Sequence, residues 1–272
     1  MLSFFYLFIA GLLGGFIAGL VGIGGGVIYI FIIPFALRYI GVPLEEMPQY
    51  TIANSVFAIF FASASANYVL IRLKNFYQRE VFIIGLLGVI SSAFTVEFVV
   101  NTPFYSLKVF NGIIIFLLAY MLYTTLVGAK KVYITPLRSI NKWKLGAVGL
   151  VGGGIAALSG LGGGVVIIPA LNSLLKVDVK KASAISSGAI MITAFTITLI
   201  NLLSTPVHDF HYFNLGYIIF PVGLSITLGV IIAAPFGVSV SRKVSSAKIS
   251  YIYSLFLVIV ILKKIVELYF LS

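Results

Sequence analysis

The stretch Gly22-Ile23-Gly24-Gly25-Gly26 decides how this chain is read, because it occurs twice. It returns as Gly160-Leu161-Gly162-Gly163-Gly164, shifted by 138 residues, and its surroundings return with it: Gly11, Gly15, Ile17 and Ala18 match Gly149, Gly153, Ile155 and Ala156. Each glycine knot lies inside an apolar stretch, 2–41 and 145–176. A continuous helix over 145–176 would be ~48 Å long, well beyond a hydrocarbon core of roughly 30 Å. Consecutive glycines cost a helix about 1 kcal/mol each against alanine. Both stretches are therefore expected to break at their glycines into two arms, of about 20 and 17 residues in the first copy and about 15 and 12 in the second. The first-copy arms are each long enough to span fully, whereas the second-copy arms are closer to a re-entrant loop; a deep re-entrant hairpin and two short tilted helices both remain open.

Composition names the solvent. Of 272 residues, 61% are hydrophobic and 9% charged, with mean hydropathy +1.16. An ordinary soluble domain is roughly half apolar and about a quarter charged. The fold class is an all-α polytopic membrane protein of about eight to ten hydrophobic helices. Single spans are expected at 50–71, 81–100, 106–127, 182–203, 214–238 and 248–270. No basic residue precedes the first apolar run and no small-residue cleavage site follows it, so that run reads as a retained segment. Without cysteine, disulfides, thiol catalysis and thiolate metal sites are excluded. A net charge of +11 would point to nucleic acid in a soluble chain. Here it is accounted for by membrane loops, and no nucleic-acid partner is expected.

Those loops also set the direction of each segment, since cytoplasmic loops collect Lys and Arg. Loop 72–79 carries Arg72, Lys74 and Arg79; the connection between halves carries Lys130, Lys131, Arg138, Lys142 and Lys144. Lys176, Lys180 and Lys181 lie in 176–181 beside Asp178, and Arg242, Lys243 and Lys248 in 239–248. Together these hold 14 of the 18 basic residues, whereas 41–48 has Glu45 and Glu46, 101–107 has no charge, and 204–213 has Asp209 and two histidines. With all four basic loops inside, 145–176 leaves the cytoplasm and returns, and 2–41 does the same from outside. The halves are then two inverted repeats, each a Gly-hinged hairpin plus three transmembrane helices, with both termini outside. The organisation is 1–128 for the first repeat, 129–144 for a cytoplasmic connection and 145–272 for the second repeat. A single crossing at each knot would give eight spans in a parallel repeat, and would strand the 176–181 lysines outside.

Inverted repeats with interrupted helices form a secondary-transporter plan in which the breaks meet near the midplane and bind the substrate. Glycine breaks that open a helix offer N–H groups with no side chain in the way, a cradle for a small oxyanion. The candidate substrate-binding residues are Gly22, Gly24, Gly25, Gly26, Gly160, Gly162, Gly163 and Gly164. Asn54 and Ser55, matched by Ser186 and Ser187 at an offset of 132, add neutral donors early in the following helices, although helix–helix hydrogen bonding would use the same residue types. Asn67, Asn172 and Asn201 make a weaker case of the same kind. The rows Gly11, Gly15, Gly19 and Gly149, Gly153, Ala157 read as close helix packing. Glu97 is the carboxylate expected deepest in a span, a coupling candidate for a proton or a sodium ion, although Asn101 four residues on would bring it near the interface. His208-Asp209-x-His211 forms no recognised ligand set, so no metal and no cofactor are expected. The first knot lacks the third glycine of G-x-G-x-x-G, no Walker motif exists, and no Ser/His/Asp constellation supports an enzyme.

At these repeats the sequence resembles the sulfite exporter TauE/SafE family of membrane transporters. The resemblance rests on Ala18-Gly19-Leu20-Val21-Gly22-Ile23-Gly24-Gly25-Gly26 with Pro34, and on Ala157-Leu158-Ser159-Gly160-Leu161-Gly162-Gly163-Gly164 with Pro169. Asn54-Ser55 and Ser186-Ser187 stand where the family often carries a Thr-Ser pair. The resemblance implies export of small sulfur-containing anions, such as sulfite or sulfonates, across the plasma membrane. The reading is a secondary transporter of a small anion working by alternating access around the paired breaks. A passive anion channel of the same architecture and a non-transport membrane scaffold are the alternatives.

Overall fold

The computed structural model describes residues 2–102, 104–128, 140–208 and 213–270. Among them are ten α-helices, five in each half. The first half runs α1 (Leu2–Val21), α2 (Gly26–Ile40), α3 (Met47–Arg72), α4 (Gln78–Thr95, extended by a π-helical turn to Val100) and α5 (Leu107–Gly128). The second runs α6 (Lys142–Ser159), α7 (Gly164–Pro169, extended by a π-helical turn to Leu174), α8 (Val179–Leu203), α9 (Phe220–Ser241) and α10 (Ser246–Phe270). Six helices among the described residues are long and apolar enough to cross a membrane, α1, α3, α4, α5, α8 and α9; α10, over the span expected at 248–270, is not among them, and the arms 26–40 and 164–174 are shorter.

Both glycine stretches turn back on themselves. A Cβ at Gly25 would meet the Gly14 carbonyl oxygen at 2.4 Å, and one at Gly163 would meet that of Gly152 at 2.8 Å. Residues 14 and 25 of the first copy thus touch as 152 and 163 do in the second. Each break drops the chain alongside the middle of its own first arm. From there the second arm needs only half the membrane to return, which is why 15 residues suffice for α2. At about 1.5 Å per residue α2 covers ~22 Å and the 164–174 arm ~16 Å, neither a full span.

The halves interlock, and their packing shows the inversion. Gly11, Gly15 and Gly19 of α1 face Ile226, Val230 and Ala234 of α9 in ascending order, so these helices are parallel. Gly149 and Gly153 of α6 face Ile84 and Gly88 of α4 in the same sense. An added Cβ at Gly11, Gly19 or Gly153 would lie 2.1 Å from a backbone carbonyl oxygen across the interface, so the small-residue rows are what lets these backbones touch. By contrast α3 and α8 are antiparallel: Phe60 stacks near Phe195 at 5.5 Å while Asn67 Nδ2 donates to the Ser187 carbonyl at 3.0 Å. A repeat whose first helix pairs with the fourth of the other half, and whose third helices cross head to tail, is related by an axis in the membrane plane.

Loop positions agree. Lys180 Nζ donates to the Arg242 carbonyl at 3.5 Å, and Arg79 to that of Ile140 at 3.4 Å, so the basic loops share one face. On the other face Gln49 Nε2 donates to the Val100 carbonyl at 2.9 Å and Asn101 Nδ2 to Ser204 Oγ at 3.3 Å. Lys130, Lys131, Arg138, Asp209 and His211 lie outside the described residues.

One expected span changes at its start. Residues 214–219 form a two-stranded hairpin, β1 (Asn214–Leu215) and β2 (Ile218–Ile219), with Asn214 opposite Ile219. Gly216 takes a left-handed φ of 54° at the turn, and Pro221 then opens α9. Proline suits a first helical turn, where its missing N–H costs nothing.

Candidate functional site

The two breaks meet each other at the centre of the fold. A Cβ at Gly26 would sit 2.4 Å from the Leu161 carbonyl oxygen, and one at Gly164 would sit 2.8 Å from Ile23 Cα. These are the same contact seen from the two halves. Gly162 comes within the same range of the Ile23 carbonyl, and Gly24 and Gly162 both cover Ile59. Gly22, Gly24, Gly25, Gly160 and Gly162 have φ between 63° and 90°, a conformation that a side chain would strain. Gly163 is helical, with φ −63°, so the copies differ in their last turn.

What the knots present is backbone N–H. Gly22 donates to Ala18 at 2.8 Å and Ile28 to Gly25 at 3.0 Å; the N–H groups of Gly24, Gly25 and Gly26 between them make no hydrogen bond among the described residues. In the second copy Leu161 donates to Ser159 Oγ at 3.2 Å and Val166 to Gly163 at 3.0 Å, while Gly162, Gly163 and Gly164 likewise make none. All six glycines are buried. The first N–H groups of a helix have no partner within it and are free to bond a cap, water or a ligand, and here two such sets lie side by side. Two hydroxyls join them. Ser186 Oγ is buried without a partner, 3.1 Å from the Cβ position of Gly164, and Tyr29 OH is in the same state 2.9 Å from that of Gly25. A cluster of donors without acceptors suits a ligand that only accepts, as a small oxyanion does.

The other expected site residues are placed differently. Ser55 Oγ donates to the Gly160 carbonyl at 2.6 Å, tying α3 to the second knot. Asn54 faces the β-hairpin: Nδ2 donates to the carbonyls of Tyr50 at 2.8 Å and Tyr217 at 3.0 Å, and Oδ1 accepts from Ile219 N at 3.0 Å. Ser187 lines a cleft of about 90 Å³ that opens on the basic face, together with Gly22, Lys180 and Ser183. Asn67 bridges α3 to α8, Asn172 Nδ2 donates to the Val177 carbonyl at 2.9 Å, and the Asn201 carbonyl accepts from Tyr217 N at 3.0 Å. Glu97 sits in the π-helical turn that extends α4 and is exposed at the mouth of a cavity of about 460 Å³ on the opposite face, lined also by Asn101, Ser204 and Tyr217. No group of three or more metal-ligating side chains occurs among the described residues.

Sequence reasoning missed a set of contacts that ties residues 46, 207, 208 and 217 together on that opposite face. Glu46, only 5% exposed, accepts from Val207 N at 2.8 Å and His208 N at 3.3 Å, and pairs with His208 Nδ1 at 2.9 Å. Tyr217 packs edge-on against Tyr50 with centroids 5.1 Å apart. Burial, and then the Glu46 carboxylate beside it, push the Tyr217 phenol up to about 12. It therefore remains a neutral donor at physiological pH. Glu46 and Asp178 occupy matching positions, 132 residues apart. Asp178 Oδ1 accepts from Lys180 N at 3.0 Å and Lys181 N at 3.3 Å, and it lines a cleft of about 280 Å³ on the basic face with Tyr77, Lys180, Lys181 and Arg242. The repeated acid ahead of the third helix of each half was the signal available in the sequence.

Comparison with known proteins places this architecture. The description "Sulfite exporter TauE/SafE" matches residues 7–264. A probable membrane transporter protein of Methanocaldococcus jannaschii is 32% identical over 243 residues, covering 88% of this chain and 86% of that protein. Probable membrane transporter proteins of Haemophilus influenzae and Bacillus subtilis are 24% and 23% identical, over 93% and 95% of this chain and 94% and 96% of their own lengths. With its paired hairpins, six long apolar helices and this match over nearly its whole length, the chain belongs to the TauE/SafE sulfite exporter family of multi-pass membrane transporters.

Proposed function

We propose that the protein is a secondary transporter that carries a small sulfur oxyanion, such as sulfite or a sulfonate, outward across the plasma membrane by alternating access. The observation that carries this reading is the buried set of unpartnered N–H groups on Gly24–Gly26 and Gly162–Gly164, brought together from two inverted repeats. Ser186 and Tyr29 add hydroxyl donors to the same anion. Asn54 and Ser55 act beside the site, holding α3 to the hairpin and to the second knot. The cleft reaching Gly22 from the basic face is the entry, and Lys180 at its wall attracts an anion. In this cycle Glu46, bonded to Val207 and His208, gates the other face, and Asp178 with Tyr77 takes the matching part on the basic face. Both termini then lie outside, and coupling to a proton falls to Glu97.

Proteoliposomes loaded with unlabelled sulfite and given a trace of labelled sulfite test this. Alternating access predicts transient overaccumulation of label by counterflow, with saturation in sulfite. Linear, non-saturating flux would replace the reading with a channel, and no flux of sulfite, sulfonates or small carboxylates would leave a scaffold. Repeating the assay under imposed proton and sodium gradients, with and without Glu97→Gln, identifies the coupling ion; a proton response that survives the substitution removes Glu97 from the cycle.

A further inference from the structure

Three of the four basic residues outside the basic loops gather at one place on the opposite face. Arg38 on α2 and Lys263 and Lys264 on α10 surround a single carboxylate, Glu267. Glu267 spends both oxygens there: Oε1 accepts from Arg38 at 2.8 Å and Oε2 from Lys264 at 3.0 Å. Lys264 is fully buried and also donates to Asn111 Oδ1 at 3.0 Å. Lys263 Nζ donates to the Phe31 carbonyl at 2.6 Å and sits 3.9 Å from the centroid of Phe35. With every member ionised, the cluster carries two positive charges more than its acid cancels. Arg38 meets that acid through one nitrogen only, and its side chain is 45% exposed, so most of its fork faces outward.

The space in front of the cluster is a groove of about 560 Å³ whose apolar walls are Phe35, Leu44 and Val266, each more than half exposed. It runs between α2 and α10 on the outer surface of the bundle, where Leu255, Leu262 and Ile265 continue the apolar face. Tyr39 and Tyr269, 80% and 75% exposed, stand within two residues of Arg38 and Glu267. Exposed tyrosines at helix ends mark the depth of lipid headgroups. An uncompensated cation at headgroup depth, with an apolar trough beneath it, fits an anion that brings its own hydrocarbon.

We propose that this groove binds one anionic phospholipid, with Arg38 and Lys263 at the phosphate and Phe35, Leu44 and Val266 along an acyl chain. The site is separate from the glycine knots and does not depend on what they carry. Arg38 reaches the phosphate with its free N–H groups, while the charge of Lys263 adds to the field from beneath the Phe31 and Phe35 rings. The excess of basic over acidic groups also argues against a second copy of the chain as occupant, since symmetric contact would set two positive clusters face to face.

Native mass spectrometry of the purified protein in a neutral detergent tests the site, with phosphatidylglycerol and phosphatidylcholine of identical acyl chains as probes. One phosphatidylglycerol should bind, at least about tenfold tighter than phosphatidylcholine, the scale of one charge-assisted hydrogen bond. Arg38→Gln should remove that preference, Arg38→Lys should restore part of it, and Lys243→Gln on the basic face should leave it intact. Equal binding of the two lipids, or a preference unchanged in Arg38→Gln, overturns the proposal. So does displacement of phosphatidylglycerol by inorganic phosphate, which would make this a soluble-anion site. A dimer that excludes lipid from the groove overturns it as well, in favour of a second copy.

Discussion

Replacing Ser186 with alanine separates a ligand-binding hydroxyl from a structural one. Ser186 is 0% exposed and its Oγ has no hydrogen-bond partner. Ser186→Ala therefore takes away no bond within the protein, and it relieves a buried hydroxyl whose lack of a partner costs about 1–3 kcal/mol. The thermal midpoint in detergent should stay level or rise. If the hydroxyl donates to the bound anion, the same change removes a hydrogen bond to a charged acceptor. That is worth about 1.5–3 kcal/mol, or roughly 10- to 150-fold in affinity. Ser55→Ala is the contrast, because Ser55 Oγ donates to the Gly160 carbonyl at 2.6 Å. It leaves a buried carbonyl short of a partner and should cost about 1–3 kcal/mol of stability. Paired measurements on each variant, an unfolding curve and a sulfite concentration series for uptake, place the two serines in opposite quadrants. A Ser186→Ala protein that loses stability and keeps its half-saturation would refute the assignment of this hydroxyl to the substrate.

Further outcomes follow from the packing and the Glu46 contacts. Gly153→Val would drive side-chain atoms into the Gly88 carbonyl, 2.1 Å from the Cβ position, and should destabilise the α4–α6 contact by about 1–3 kcal/mol or more, read as a lowered unfolding midpoint. Glu46→Ala removes the acceptor of Val207 N, His208 N and His208 Nδ1, and should raise the reactivity of a cysteine placed at Thr51, which is 0% exposed, toward a membrane-impermeant maleimide. Unchanged reactivity would mean that Glu46 does not hold that face shut. The absence of native cysteine makes single-site labelling clean. Cysteines at Lys142 and Lys180 should label from one side and a cysteine at Thr205 from the other, whereas labelling of all three from one side would contradict the inverted arrangement.

Much of the fold was legible because it rests on local rules. Five-residue glycine runs cannot hold a long helix, and loop lysines distinguish a hairpin from a crossing, so the inverted hairpins follow from positions 22–26, 160–164 and 176–181. The small-residue rows announced close packing, but not their partners: that α1 lies on α9 and α6 on α4 depends on contacts across the two halves. The same limit applied to Asn54. Its place early in a membrane helix suggested a free donor, yet its amide is taken by Tyr217 and Ile219, more than 160 residues away. The hairpin at 214–219 was hidden because Leu215, Ile218 and Ile219 are as apolar as a helix, and only Gly216 and Pro221 hint at the break. Glu97 looked deepest of the acids, yet it is exposed, whereas Glu46 and Glu80 are each 5% exposed and the Glu267 side chain is 10% exposed between two cations.

The paired knots can be addressed most directly through their own amides. Protein labelled with ¹⁵N at glycine, with Gly24–Gly26 and Gly162–Gly164 assigned by substitution, would be titrated with sulfite in detergent micelles. Donation to a bound anion predicts saturable downfield amide-proton shifts at these glycines from both copies, with one common dissociation constant. Glycines of the packing rows, such as Gly11 and Gly149, should not move. Saturable sulfite binding that leaves the six knot amides unshifted would contradict the account.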